Sequence, residues 1–219
     1  MKLVVLFSSI AAFVAAVPTV PKQCPYVSQN ANFDDLKAVP AVPLTPIPTP
    51  YKDLYWQAIA FISVVNVSPV PGVKPHSPPN FATIAVGSQR DGTPMLTTNY
   101  ANSKIASFKL ESFYFACVIQ AENGAASVPN ACNIYVTGYT GNDNTVSSSK
   151  QVCSQAYSYN PTTAIGEQQQ AFGKFDDCAG KEIQFAVIQF SFPGGQSAVQ
   201  PAGALLLDDV KYSTKAKSC

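Results

Sequence analysis

The chain has 219 residues, with 14 Lys and Arg against 13 Asp and Glu, one histidine and six cysteines. That length suits one domain with a sizeable core or two small ones. Near-neutrality gives no electrostatic reason to expect nucleic acid or an anionic membrane as partner, and a single histidine with no Cys-x-x-Cys pair argues against a zinc centre.

Residues 1–16 read as a secretory signal peptide. Lys2 supplies the positive start, Leu3 to Val14 the apolar run, and Val14-Ala15-Ala16 the small residues before cleavage. The run is too short for a membrane anchor, and no later stretch reaches about 20 apolar residues. Losing Lys2 would leave thirteen basic against thirteen acidic residues. All six cysteines, Cys24, Cys117, Cys132, Cys153, Cys178 and Cys219, lie beyond the cleavage site, an even number that implies disulfides in an exported chain. Six cysteines allow fifteen connectivities, and sequence alone does not choose among them. The favoured set is Cys117–Cys132 and Cys153–Cys178, which close short loops, with Cys24–Cys219 tying the termini, which often lie close together in single domains.

Residues 17–50 form a proline-rich segment that includes a first strand near residues 33–36. Val39 to Pro50 holds five prolines in twelve residues and should run extended on the surface. The rest of a single β-sandwich domain occupies 51–219. Strand-like runs follow at Tyr51–Val67, Phe81–Val86, Lys104–Gln120, Asn133–Thr140, Lys150–Ser158, Gln169–Phe175, Lys181–Phe192 and Ala202–Tyr212. Turn residues separate several of them, among them Gly-Asn-Asp-Asn at 141–144 and Pro-Gly-Gly at 193–195. A turn of helix is allowed only near Ala58–Ile62 and Gln168–Ala171. Eight or nine short strands describe an all-β fold, a sandwich of two antiparallel sheets. Asn66-Val67-Ser68 is a glycosylation sequon, with Pro69 after it.

The acids pose the main question. Six of thirteen occur as Asp-Asp doublets: Asp34-Asp35, Asp176-Asp177 and Asp208-Asp209. The middle doublet, beside Cys178, should decorate a turn. The outer two flank large apolar residues, and neighbouring carboxylates repel and are costly to bury unpartnered. First and last strands of a sandwich are often adjacent, which would bring Asp34 or Asp35 to Asp208 or Asp209. Strand alternation would point one carboxylate of each doublet at the shared site. Such a set suits a structural calcium ion, or else hydrogen-bond donors.

Phe33-Asp-Asp-Leu36, Pro50-Tyr-Lys-Asp-Leu-Tyr-Trp56, His76-Ser-Pro-Pro-Asn80, Phe108 to Cys117, Ile134-Tyr-Val-Thr-Gly-Tyr139 and Leu205-Leu-Leu-Asp-Asp-Val210 stand in this order. Over about residues 33–212 they resemble a group of small secreted fungal proteins and a related bacterial domain, similar to jelly-roll, galactose-binding-like modules. Many such modules bind carbohydrate, while the secreted group mostly lacks an assigned activity. The resemblance implies a jelly-roll fold. It also implies a calcium joining first and last strands, with Asp34, Asp35, Asp208 and Asp209 at the matching positions. The usual first-strand ligand there is often glutamate, and aspartate shortens the reach.

Catalysis is not expected. The acid doublets would have to open into a cleft to cleave glycosides. His76 is the only base for a serine hydrolase, and no Gly-x-Ser-x-Gly accompanies it. His76 reads instead as a surface or loop-packing residue. Sugar binding needs aromatic faces with amides and carboxylates nearby. Tyr51, Tyr55, Asn80, Tyr100 and Tyr139 are the candidate contacts, with Tyr157, Tyr159, Arg90, Asp91, Asn99 and Asn102 as further possibilities; Trp56 reads as core. The expected partner is a glycan or cell-wall polysaccharide. A host protein engaged by an effector-like module is the alternative, and a glycoside hydrolase the third.

Overall fold

The computed structural model describes residues 23–37, 44–63, 72–85, 92–120, 127–162, 167–193 and 203–219. Residues 1–16, read above as a signal peptide, residues 17–22 and 38–43 of the proline-rich segment, Asn66, Arg90 and Asp91 lie outside them. The described residues form two antiparallel sheets and no α-helix, as a β-sandwich requires. Among the described residues no helix is long and apolar enough to cross a membrane.

Thirteen strands follow in chain order: β1 Tyr26–Ala31, β2 Thr45–Pro46, β3 Tyr55–Gln57, β4 Ala60–Ser63, β5 Asn80–Ala85, β6 Met95–Thr97, β7 Ile105–Gln120, β8 Ser127–Pro129, β9 Cys132–Thr140, β10 Lys150–Tyr159, β11 Ala171–Lys174, β12 Phe185–Ser191 and β13 Gly203–Ala216. The large sheet runs β11-β7-β13-β5-β4-β2, with β1 on β13 and β8 on β7. The small sheet runs β10-β9-β12-β6-β3.

The core lies between the sheets, where alternation sends one face of each strand. From β7 come Phe108, Leu110, Phe113 and Phe115; from β9, Ile134 and Val136; from β12, Ala186, Ile188 and Phe190; from β13, Leu205 and Leu207. Trp56 is buried against Phe33 and Tyr51, with ring centroids 5.1 and 6.3 Å away. The three disulfides are Cys24–Cys219, Cys117–Cys132 and Cys153–Cys178. Cys153–Cys178 ties β10, an edge of the small sheet, to the turn after β11, an edge of the large one. Side chains stitch the same seam: Gln155 Nε2 and Tyr157 OH both donate to Lys174 O, at 2.9 and 3.0 Å. These bonds cover edges that would otherwise expose unpaired backbone.

Several sequence expectations need correction. The first strand is Tyr26–Ala31, not 33–36. Residues 33–36 make a turn closed by Leu36 N donating to Phe33 O at 3.0 Å, with Phe33 at φ 63°. The Tyr51–Val67 run is split into β3 and β4 because Ala58 adopts φ 54°, which breaks strand pairing. No helical turn forms at 58–62, where β4 begins, or at 168–171, where Gln168 bridges Val73 and β11 starts. The last strand continues to Ala216. Strands β1, β2, β6 and β8 lacked a clear alternating signal because each is short or polar.

Gly173 in β11 lies opposite Phe113, and a Cβ there would stand 2.6 Å from Phe113 Cε1. Gly173→Ala therefore overpacks the junction of β11 and β7. A loss of about 1–3 kcal/mol in chemical denaturation is expected; an unchanged midpoint would show that Phe113 yields freely.

Candidate ligand-binding site

The edge of β13 has two successive neighbours. Residues 204–207 pair with β5, and residues 210–215 pair with β1. First and last strands are therefore adjacent, as expected from the doublets. Asp208 and Asp209 fall in the gap between the two partners. On the other side of β13, Asp208 faces Tyr114 and Lys211 faces Ser112, so Asp209 and Val210 together oppose Phe113 alone. This is a β-bulge, and Asp209 takes φ 44° within it. The bulge breaks alternation. Both carboxylates are consequently buried, Asp208 completely, where regular alternation predicted one in and one out.

The Asp34-Asp35 doublet does divide. Asp35 is exposed and accepts from Lys52 Nζ and Tyr51 OH, each at 2.7 Å; both partners hold its carboxyl below the usual range against the cost of partial burial. Asp34 turns toward the bulge. Its Oδ1 accepts from Asn80 N at 3.2 Å and its Oδ2 from Asn32 Nδ2 at 3.0 Å.

Residues 76–79 form a strap into β5 that fills the gap. Ser77 N donates to Asp208 Oδ2 at 2.8 Å, and Ser77 Oγ lies 3.3 Å from Asp208 Oδ1. Asp209 N also donates to Asp208 Oδ1, at 2.7 Å. Asp209 Oδ1 accepts from Asn30 Nδ2 at 2.8 Å, and its Oδ2 lies 2.6 Å from His76 Nδ1. Five of the six oxygens of Asp34, Asp208 and Asp209 thus accept from an N–H group, and the sixth lies against His76 Nδ1. Asp34, Asp208 and Asp209 gather around groups of the strap, the start of β5, and Asn30 and Asn32 at the end of β1.

These donors bear directly on calcium. A metal among the three carboxylates would compete with N–H groups already bonded to them, and Asp35 faces Lys52 instead. The donor set does not fit a calcium shell, which takes six to eight oxygens. Among the described residues no group of three or more His, Cys, Asp or Glu is arranged to hold a metal ion.

On the outer face of the large sheet an aromatic row runs outward from this cluster. Phe113 and Phe115 point into the core, so Tyr114 points out. Phe172 of β11 pairs with Tyr114 in register and shares its face, with centroids 5.2 Å apart. His76 lies flat on Tyr114 at 3.4 Å and 12°. Phe172 is 57% exposed, and the His76 side chain 44%.

The tyrosines expected to bind ligand are scattered. Tyr51 is buried, donating to Asp35 and accepting from Phe33 N at 3.0 Å. Asn80 is buried, its amide donating to Phe33 O and Leu36 O. Tyr100 donates to Asp53 O at 3.1 Å. Tyr139 stacks on Phe185 at 5.0 Å on the small sheet, and Tyr55 lies on edge strand β3. Tyr51 and Asn80 cannot reach a ligand, and the other three do not adjoin one another. Tyr157 bonds Lys174 O in the β10–β11 seam and Tyr159 is buried; Asn99 bonds Gly141 O; Asn102 lies exposed in a turn. Asp176 and Asp177 decorate the turn after β11, as expected. Ser77 Oγ bonds Asp208, not His76. Sequence reasoning missed Tyr114 and Phe172. The available signal was an aromatic at the outward position between Phe113 and Phe115.

Burial pushes the Asp208 carboxyl up to about 7; N–H donation from Ser77 and Asp209 opposes this, and the charges of Asp209 and Asp34 add to it. A carboxyl whose native pKa is raised binds its proton more tightly folded than unfolded. Its stabilising effect is complete below the unfolded value near 4 and is lost as pH rises toward 7. Asp34 is shifted in the same direction, chiefly by burial. Stability should therefore fall between about pH 4 and 7, by up to about 1.4 kcal/mol per pH unit for one proton. Asp208→Asn should flatten that slope. Denaturation midpoints across the range check this, and an equally steep variant would refute it.

The chain matches no protein-family model and no curated protein. Among solved structures, the crystal structure of a DUF4465 family protein from Bacteroides caccae is similar over 91% of this chain and 96% of that one, at 10% identity and a TM-score of 0.46.

Proposed function

We propose that this protein is a secreted, non-catalytic module that binds carbohydrate, of the kind found in cell walls, on the outer face of its large sheet. The observation that carries this reading is Phe172, a large apolar ring left mostly exposed in register with Tyr114, on which His76 stacks. A bare aromatic face is what the apolar face of a pyranose stacks on, and polar groups at its border can bond the hydroxyls. Three disulfides fit an oxidising, extracellular setting.

A glycan array probed with the purified protein tests the proposal. Phe172→Ala should weaken binding about tenfold or more, equivalent to about 1.4 kcal/mol, with an unchanged melting temperature because the ring lies outside the core. Tyr135→Ala, which removes an exposed aromatic from the small sheet, should leave binding intact. A calcium chelator should also leave it intact, since the acidic doublets are satisfied by donors. An array without hits, or hits indifferent to Phe172, would overturn the reading in favour of a protein partner.

A further inference from the structure

We infer that Asp209 is a positioning residue that fixes the tautomer of His76, so that the site selects a neutral, hydroxylated ligand able to donate a hydrogen bond to Nε2. This rests on the binding face proposed above. A carboxylate can only accept hydrogen bonds. One oxygen of Asp209 is held by the Asn30 amide and the other lies 2.6 Å from His76 Nδ1. Nδ1 must then carry the hydrogen, and in the neutral ring Nε2 is left as an acceptor.

The ring has little freedom to escape this arrangement. His76 N donates to Gln170 Oε1 at 3.1 Å, the next residue is bound to Asp208, and the imidazole plane rests on Tyr114. The side chain is partly exposed, and the Tyr114 ring it stacks on packs in turn against Phe172. A ligand lying across Phe172 therefore meets an acceptor at the inner end of the row. A pyranose supplies what this calls for, an apolar face with a hydroxyl at its edge. Uronic acids and sulfated sugars fit poorly. Their anionic groups cannot donate to Nε2, and Asp209 stands behind the imidazole.

His76 is the chain's only histidine, so its ring nitrogens give unambiguous signals in ¹⁵N NMR. With the ring neutral, the wild-type spectrum should show hydrogen on Nδ1 and none on Nε2. In Asp209→Asn one carboxylate oxygen becomes an NH₂ donor, and the hydrogen should move to Nε2. On the array, Asp209→Asn and His76→Phe, which keeps the ring stack and removes Nε2, should each cost neutral glycans about tenfold. Neutral glycans should outcompete uronic and sulfated ones in the wild type. Hydrogen on Nε2 in the wild type would overturn the inference, and that measurement needs no variant to fold. An unchanged tautomer in Asp209→Asn would do so too. The expected tautomers together with binding indifferent to Phe172 would sink only the proposed carbohydrate face.

Discussion

Everything around the candidate site depends on one exchange of partners along β13. Its edge is covered first by β5 and then by β1, and neither reaches Asp208 and Asp209. Backbone polar groups left bare beside a core are costly. Here two carboxylates stand in the gap and draw in partners from two other segments, the strap at 76–79 and the end of β1, while Asp34 of the turn at 33–36 lies beside them. The acids act as a junction where the chain's beginning, middle and end meet.

That junction explains why a polar cluster can sit against the core. Isolated buried carboxylates would be destabilising, but each oxygen here has a donor. The bulge supplies the geometry. By admitting an extra residue on β13, it places Asp208 under the strap and Asp209 under the imidazole. The same displacement brings the aromatic row to the border of the polar cluster. Apolar and polar contacts thus converge on one patch of the outer face because a strand irregularity puts them there.

The sequence disclosed much of the frame. The long run Phe108–Cys117 is legible as a strand because its apolar residues largely recur at spacing two, and Leu205–Leu207 because a short continuous apolar run suits a central strand. The cystines that form are the set favoured above, two short loops and a tie between the termini. The Asp doublets pointed to a meeting of the two ends. What stayed hidden was local. Tyr26–Ala31 is largely polar because its partner β13 buries little of it, so it lacks the alternation that marks a strand. The positive φ of Phe33, Ala58 and Asp209 has no residue signature, since none is glycine or asparagine. Without the bulge at Asp209, alternation separates the two acids wrongly. Phe172 and Tyr114 come together only through the β11–β7 register, which hydrophobic patterning did not specify. Tyrosines in loops drew notice by residue type, yet Tyr51 proved to be core.

The bridge from Cys24 to Cys219 joins the segment before β1 to the residues just after β13. Everything between them is thereby closed into a covalent ring. A protease that nicks one surface loop cannot release a fragment: it only opens the circle, producing a polypeptide with new ends whose sheets still hold together. For such a ring, one scission would be a change of connectivity rather than a loss of material.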